Sequence, residues 1–133
     1  RDLPARMNTP QIKRPWNTRQ RGIIEFLYFP EKNRYVGVCL TFNIVEEGKN
    51  LEALRKSLDE ATKLHLKVVI KKKLSDKLLN RYAPVEYWER YFEIQKRLAK
   101  GKAETIQQKT SSTANTPYTI DDFLGPQRSL VHL

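Results

Sequence analysis

The sequence predicts an α+β fold in which a small antiparallel three-stranded sheet packs against one main helix, with a C-terminal helix added and disordered ends. Two observations support this prediction. Residues 21–47 consist of short runs rich in β-branched and aromatic residues, separated by turn residues, which is typical of strands. Residues 50–72 repeat apolar side chains every three or four positions, which is typical of an amphipathic helix.

The first strand is expected at residues 22–29. Both of its faces are largely apolar, which indicates a strand in the interior of the sheet. A turn is expected at residues 30–34, because Pro30 fixes φ and Asn33 tolerates a left-handed conformation. A connection this short favours an antiparallel neighbour.

The second strand is expected at residues 35–40, where Gly37 leaves room for a large cross-strand neighbour. The chain's single cysteine, Cys39, lies in this strand. One cysteine excludes an internal disulfide, and its apolar surroundings favour a buried, inert thiol over a reactive one. A weaker third strand at residues 43–47 ends at Gly48.

The main helix is expected to begin after Asn50, a natural N-cap, with Glu52 in its first turn, where the helix dipole favours an acid. Its apolar stripe is expected to consist of Leu51, Leu54, Leu58, Ala61, His65 and Val68 or Val69. His65 has no second histidine or cysteine at metal-ligand spacing, so a packed histidine is expected in place of a metal ligand.

A second helix is expected at residues 84–100, after a short helical turn at residues 75–82, because Pro84 suits the first helical position and Gly101 follows the last. Its aromatic face comprises Val85, Trp88, Tyr91, Phe92 and Leu98. This face is expected to pack on the sheet or on the main helix, and the sheet is favoured because the main helix cannot cover its second side. The alternative is a partner-binding surface formed by Trp88, Tyr91 and Phe92, since large aromatic residues are favoured anchors at interfaces.

The net charge of +10 is unevenly distributed and divides the chain into three parts. Residues 1–20 carry five basic residues and one acidic residue, and they are expected to form a disordered basic arm. Residues 21–100 are expected to be the folded domain, and residues 101–133 a polar, flexible tail. About 80 residues remain to form a core, a size at which a partner or a homo-oligomer often adds stability.

Within the expected tail, Thr119 and Asp122 have the spacing of a capping box. Residues 119–124 could therefore fold as one amphipathic turn on binding a partner. The alternative is a structureless chain end.

The basic flanks predict contacts with RNA or DNA, because flexible basic segments are attracted to polyanions without reading sequence. The candidate contacts are Lys13, Arg14, Arg19, Lys71, Lys72 and Lys73. The alternatives are a solubilising arm and an ordinary solvated helix end at the lysine run. Residues 1–6 are not expected to contribute to function, because the chain begins with Arg and its one Met is Met7.

An enzyme is the function class that the sequence favours least, and no catalytic, cofactor or metal-binding residues are assigned. Glu46 and Glu47 are neighbours in an expected strand and point to opposite faces, so they cannot act as a convergent pair. The sequence has two histidines, no glycine-rich phosphate loop and no nucleophile beside a plausible base. No run approaches the roughly 18 apolar residues of a membrane span, and no signal peptide is evident, so a cytoplasmic protein without a membrane partner is expected.

One stretch resembles a known family. The segments YVGVC at 35–39, EEG at 46–48 and NLEAL at 50–54 resemble the HicB-like antitoxins, and the resemblance extends over residues 21–70. It implies a truncated RNase H-like domain of sheet and helix. It also implies a toxin–antitoxin system, in which the chain would bind and block a small RNA-cleaving toxin, a HicA-like RNase. The alternative function is a non-enzymatic, nucleic-acid-associated accessory protein that uses its basic flanks.

Overall fold

The computed structural model describes residues 13–100 and 111–124, and a four-stranded antiparallel sheet lies at its centre. The strands are β1 (Arg21–Glu31), β2 (Arg34–Cys39), β3 (Ile44–Gly48) and β4 (Ser112–Thr119), in the spatial order β3-β2-β1-β4. β1 pairs with β4 from Arg21 to Tyr28 and with β2 from Phe26 to Glu31. The α+β class and the interior position of the first strand are confirmed, but the sheet has four strands where three were expected.

The additional strand, β4, lies in the stretch that was expected to be a flexible tail. Tyr118 is its one buried residue, so β4 lacks the apolar alternation by which a strand is recognised in a sequence. Its position depends on backbone pairing with β1, which side-chain patterns do not reveal. Residues 101–110 and 125–133 of the expected tail lie outside the described residues.

A two-residue turn, Lys32-Asn33, joins β1 to β2, with Lys32 in the left-handed region at φ 60°. The turn is shorter than the expected span of residues 30–34, because Pro30 and Glu31 remain in the paired part of β1. The antiparallel hairpin itself is as predicted.

Gly37 has the role that the sequence indicates. It lies opposite Tyr28 in the β1–β2 ladder, and a Cβ at this position would lie 3.1 Å from the Tyr28 ring and 3.2 Å from Leu58 Cδ2. The absence of a side chain therefore lets the tyrosine ring and the leucine lie over the β2 backbone.

Helix α1 (Leu51–Lys71) begins as predicted, since the Asn50 side chain accepts a hydrogen bond from the Ala53 amide (2.8 Å). Its buried residues are Leu54, Leu58, Thr62, Leu66, Val69 and Ile70, and they pack on the sheet face that includes Ile24, Phe26 and Tyr28. The second half of this stripe is displaced by one position, because Thr62 and Leu66 are buried where Ala61 and His65 were expected. Apolar periodicity does not reveal this displacement, because one of the buried residues, Thr62, is a polar type.

Helix α2 (Val85–Ala99) covers the opposite face of the sheet. Its buried residues, Trp88, Tyr91 and Ile94, pack with Leu27, Phe29, Val36, Val38 and Leu40. The described chain therefore has three layers, with the sheet between α1 and α2. Neither helix, nor any other described helix, combines the length and the apolar character needed to cross a membrane.

Both helices also hold the beginning of β4. From α1, Arg55 Nη2 donates to Ser112 Oγ (2.9 Å), and from α2, Gln95 Nε2 donates to Thr113 Oγ1 (2.7 Å). These contacts fasten an otherwise polar strand from both sides of the sheet.

Residues 13–20 are anchored to the domain, which corrects the expectation of a disordered arm for this segment. The buried Asn17 side chain accepts from the Ile23 amide (3.0 Å) and donates to the Leu79 carbonyl (3.1 Å). Asn80 follows a 3-10 turn (Asp76–Leu79). Its side chain accepts a hydrogen bond from the Asn17 amide and donates one to the Asn17 carbonyl, each with a length of 2.9 Å. Residues 1–12 of the expected arm lie outside the described residues.

Candidate nucleic-acid interface

A basic cleft lies at the end of the sheet where α1 stops. It has a volume of about 640 Å³ and is lined by Arg19, Gln20, Ile70, Lys71, Lys73, Ile120 and Leu124. Three of the six cations predicted to contact nucleic acid, Arg19, Lys71 and Lys73, therefore meet around one cavity. Among residues 13–100 and 111–124, no carboxylate lines it.

The end of α1 places the two lysines. The helix finishes at Lys71, and Lys73 then adopts a left-handed backbone conformation with φ 52°. The Leu74 amide donates to the Val69 carbonyl over 2.9 Å, which turns the chain back at the helix end. The negative end of the helix dipole favours cations, and Lys71, Lys72 and Lys73 are all exposed there.

Arg19 reaches the cleft from the anchored N-terminal segment. Its backbone amide donates to Asp76 Oδ1 (3.1 Å), and its Nε lies 3.7 Å from the same oxygen. This partly exposed ion pair positions the arginine and offsets part of its charge. The net positive charge of the cleft therefore depends chiefly on Lys71 and Lys73.

The apolar part of the cleft lining consists of Ile70, Ile120 and Leu124. A single helical turn, α3 (Asp121–Leu124), follows β4, and Asp122 Oδ2 accepts from the Thr119 amide (2.8 Å), in agreement with the predicted capping box. The Ile120 amide donates to the Gln20 carbonyl (2.8 Å). The turn is thus held against the N-terminal segment, and the cleft is formed by three separate parts of the chain.

The other three predicted cations lie outside the cleft lining. Lys72 is exposed on the turn between the two cleft lysines, and Lys13 is exposed at the start of the described chain. Arg14 instead points into the domain, where its Nε donates to Glu25 Oε1 (3.3 Å) and its Nη2 to Glu25 Oε2. Its charge is therefore already paired, unlike that of the free arm residue expected from the sequence.

The three aromatic residues considered as partner contacts differ in burial. Trp88 is 0% exposed and Tyr91 3%, whereas Phe92 is 40% exposed. Arg14 lies over the Phe92 ring, with 5.8 Å between the guanidinium carbon and the ring centre. A partner could therefore contact Phe92 directly, but it would reach Trp88 only if α2 moved.

Cys39 and His65 both lie in packed parts of the described domain. Burial raises the pKa of the Cys39 thiol to about 11, which agrees with the expected inert cysteine. His65 Nε2 lies 2.7 Å from the Leu78 carbonyl oxygen, and its ring packs on Phe42 with 4.8 Å between centres. Within residues 13–100 and 111–124, no three His, Cys, Asp or Glu side chains group in a way that could hold a metal ion.

Sequence reasoning did not single out Trp16. Its side chain is 60% exposed at the same end of the sheet, and it lines a second groove of about 470 Å³ together with Pro15, Arg21, Ile23 and Pro117. The available signal was a tryptophan in a polar, proline-containing segment with no apolar periodicity that could bury it.

Ammonium and guanidinium groups around an open cavity are the usual protein ligands of phosphate oxygens. Comparisons with known protein families, with curated proteins and with solved structures return no match. The interpretation of the cleft and the groove therefore depends on their own chemistry.

Proposed function

We propose that this chain binds the phosphate backbone of nucleic acid through the basic cleft and that it does so without catalysing a reaction. The observation behind the proposal is that Arg19, Lys71 and Lys73 converge on one cavity, and that no carboxylate is among the described residues that line it. These residues come from the N-terminal segment and from the end of α1. An ordinary solvated helix end would account for the lysines alone, whereas the contact with Asp76 holds Arg19 beside them.

Phosphate groups suit such a cleft because cations that neutralise them release condensed counterions into solution. The resulting affinity depends strongly on salt concentration. Contacts of this kind position a protein on the nucleic acid but do not read base identity. The cleft is therefore expected to recognise charge and backbone shape, with little dependence on base sequence.

Binding of a labelled oligonucleotide, followed by fluorescence anisotropy at low salt, tests this proposal. The double variant Lys71→Gln/Lys73→Gln is expected to bind about tenfold more weakly than the wild-type chain, because two of the cleft cations are removed. The matched control is Lys49→Gln/Lys56→Gln, which lowers the net charge equally at the opposite end of α1. Lys56 lies roughly 22 Å from Lys71 along the helix axis at 1.5 Å per residue.

The control variant is expected to keep the wild-type affinity within about twofold. An equal loss in both double variants would show that net charge, and not the cleft, determines binding. A wild-type chain that binds no RNA or DNA at low salt would exclude nucleic acid as the ligand.

A second candidate function is that of a HicB-like antitoxin, which would bind and block a small RNA-cleaving, HicA-like toxin. The order of elements over Arg21–Lys71 supports it, because two strands in a hairpin, a third short strand and a capped helix follow in the order that the resemblance implies. The truncated RNase H-like interpretation of this block belongs to the same candidate. Its partner-binding surface would include the exposed side chain of Phe92.

Co-expression with the product of a neighbouring short, basic reading frame tests the antitoxin candidate. The expected result is a stable complex that co-purifies, together with rescue of growth from the neighbour's toxicity. Phe92→Ala should weaken capture while the thermal melting curve stays close to that of the wild type. A neighbour that is neither captured nor neutralised would exclude this candidate and leave the nucleic-acid proposal unaffected.

A further inference from the structure

We infer that Trp16 is a stacking platform for a base of single-stranded nucleic acid whose phosphates lie in the basic cleft. This inference rests on the function proposed above and specifies the kind of nucleic acid that the cleft would hold. Three properties of Trp16 support it: the exposure of its ring, the rigidity of its backbone and the cations beside it.

The exposure of Trp16 is unusual for so large an apolar side chain. It is 60% exposed, whereas Trp88, the other tryptophan of the chain, is 0% exposed. Ile23, 40% exposed, lies in the same groove with Pro15 and Pro117. An open groove with one tryptophan and small apolar neighbours offers a flat surface on which a planar base can stack.

The backbone around Trp16 is held on both sides. Asn17 is buried and hydrogen-bonded to β1 and to the segment after α1, and Arg14 is paired with the buried Glu25. An exposed aromatic ring on a fixed backbone loses little additional conformational entropy when it binds a ligand. A tryptophan on a free chain end would lack this advantage.

The charges around the groove favour an anionic ligand. Arg21 lines the groove, and the part of the chain that the structure describes contributes no carboxylate to it. Arg19, which lines the basic cleft, is three residues from Trp16, a distance of at most about 11 Å along the chain. A base on Trp16 and a phosphate in the cleft could therefore belong to nucleotides close together in one strand.

The placement of groove and cleft distinguishes between a single strand and a duplex. Arg21 and Ile23 of β1 line the groove, and they alternate with Ile24 and Phe26, the β1 residues that pack with α1. Because successive strand residues point to opposite faces, Arg21 and Ile23 point to the α2 side of the sheet, whereas the cleft is lined by Ile70 and Lys71 at the end of α1. The two cavities therefore open on different sides of the same sheet end. A flexible single strand can bend around this end and expose its bases, but a stiff duplex with its bases stacked inside cannot.

Binding of a single-stranded oligonucleotide and of the matching duplex to the wild-type chain, Trp16→Leu and Trp16→Phe tests the inference. The wild-type chain is expected to favour the single strand. Trp16→Leu should weaken single-strand binding about tenfold and leave duplex binding unchanged, while Trp16→Phe should keep most of the affinity because it retains an aromatic face. The matched control, Leu64→Ala, removes a side chain that is also 60% exposed but lies on α1, and it should have no effect.

Tryptophan fluorescence provides an independent measurement. Because Trp88 is buried, quenching by an added single strand reports on Trp16, and the quenching should be absent in Trp16→Phe although that variant still binds. A Trp16→Leu variant with wild-type affinity for single strands would overturn the inference while leaving the cleft proposal intact. Quenching that appears on raising the protein concentration without nucleic acid would also overturn it, because the groove would then bind a second copy of the chain. A wild-type chain that binds neither oligonucleotide would instead refute the proposed function itself.

Discussion

Glu25, a buried residue of β1, is paired with Arg14 from the segment that precedes the strand. Arg14 Nε donates to Glu25 Oε1 over 3.3 Å and its Nη2 donates to Oε2, while the Tyr91 hydroxyl lies 3.4 Å from Oε2. The guanidinium also lies over the rings of Trp88 and Phe92, at 5.9 and 5.8 Å from their centres. The buried carboxylate therefore has a cationic partner because the N-terminal segment folds back over α2.

Removal of Arg14 should destabilise the fold strongly. Arg14→Ala leaves the Glu25 carboxylate buried without its cation, and breaking a buried pair in this way costs about 3–5 kcal/mol. Urea unfolding measures the loss, with the exposed neighbour substitution Lys13→Ala as a control that should change stability by no more than about 0.5 kcal/mol. The double variant Arg14→Met/Glu25→Leu should recover most of the stability, because it removes both charges together. A fully stable Arg14→Ala protein would show that the pair is not important for the fold.

Trp88 should contribute to stability more than any other residue on the aromatic face of α2. Trp88→Ala is expected to cost roughly 3–5 kcal/mol, since the side chain is fully buried between α2 and the sheet. Phe92→Ala should have a much smaller effect, because Phe92 is 40% exposed. Thermal unfolding of the two variants provides the comparison. A Trp88→Ala variant that melts at the wild-type temperature would contradict the packing of this side chain between α2 and the sheet.

The parts of the fold that could be predicted are those determined by local patterns. The β1–β2 hairpin, the cap at Asn50 and the space left by Gly37 all follow from residues near each other in the sequence. β4 could not be predicted, because it depends on pairing with a strand far away in the sequence and buries one side chain, Tyr118. The same limit applies to Arg14, whose partner Glu25 is identified only by the folded structure.

Stability should decrease at alkaline pH. Burial raises the pKa of Cys39 from 9.0 to about 11 and that of Tyr28 from 10.0 to about 12. Above about pH 9 the unfolded chain therefore loses protons that the folded chain retains, so the free energy of unfolding falls as pH rises. Each retained proton contributes a slope of up to about 1.4 kcal/mol per pH unit.

Urea unfolding between about pH 7 and pH 11 measures this slope, and Cys39→Ala should reduce it by the contribution of the thiol. The slopes of the variant and the wild-type chain should be equal well below pH 9, because the thiol is protonated in both states there. Identical pH dependence of the wild-type chain and Cys39→Ala above that pH would contradict the assigned burial of the thiol.

Asn17 should affect both the stability of the domain and the affinity of the cleft for nucleic acid. Asn17→Ala removes the hydrogen bonds to Ile23 and Leu79 without changing any charge, so Arg19 loses the support that holds its segment in place. Stability should fall by about 1–3 kcal/mol, and oligonucleotide affinity should fall although net charge is unchanged. Asn115→Ala, at an exposed position of β4, is the matched control. Wild-type affinity in Asn17→Ala would show that the cleft does not need an anchored Arg19.

The residue types of the candidate site could be predicted, but their arrangement could not. Basic flanks indicated a polyanion ligand, yet nothing in the sequence distinguishes Arg14, which pairs inside the domain, from Arg19, which lines the cleft. Lys71, at the end of α1, and Lys73, just after it, meet Arg19 because Asn17 anchors the segment that carries the arginine. Trp16 was overlooked because exposure is a property of the folded chain.

The salt dependence of nucleic-acid binding tests the central claim most directly. For the wild-type chain, the logarithm of the association constant should fall linearly with the logarithm of salt concentration, with a slope of about 0.7–0.9 for each neutralised phosphate. Lys71→Gln/Lys73→Gln should have a slope shallower by roughly 1.5, whereas Lys49→Gln/Lys56→Gln should keep the wild-type slope. Equal slopes for the wild-type chain and the cleft variant would contradict the assignment of the cleft as the phosphate-binding site.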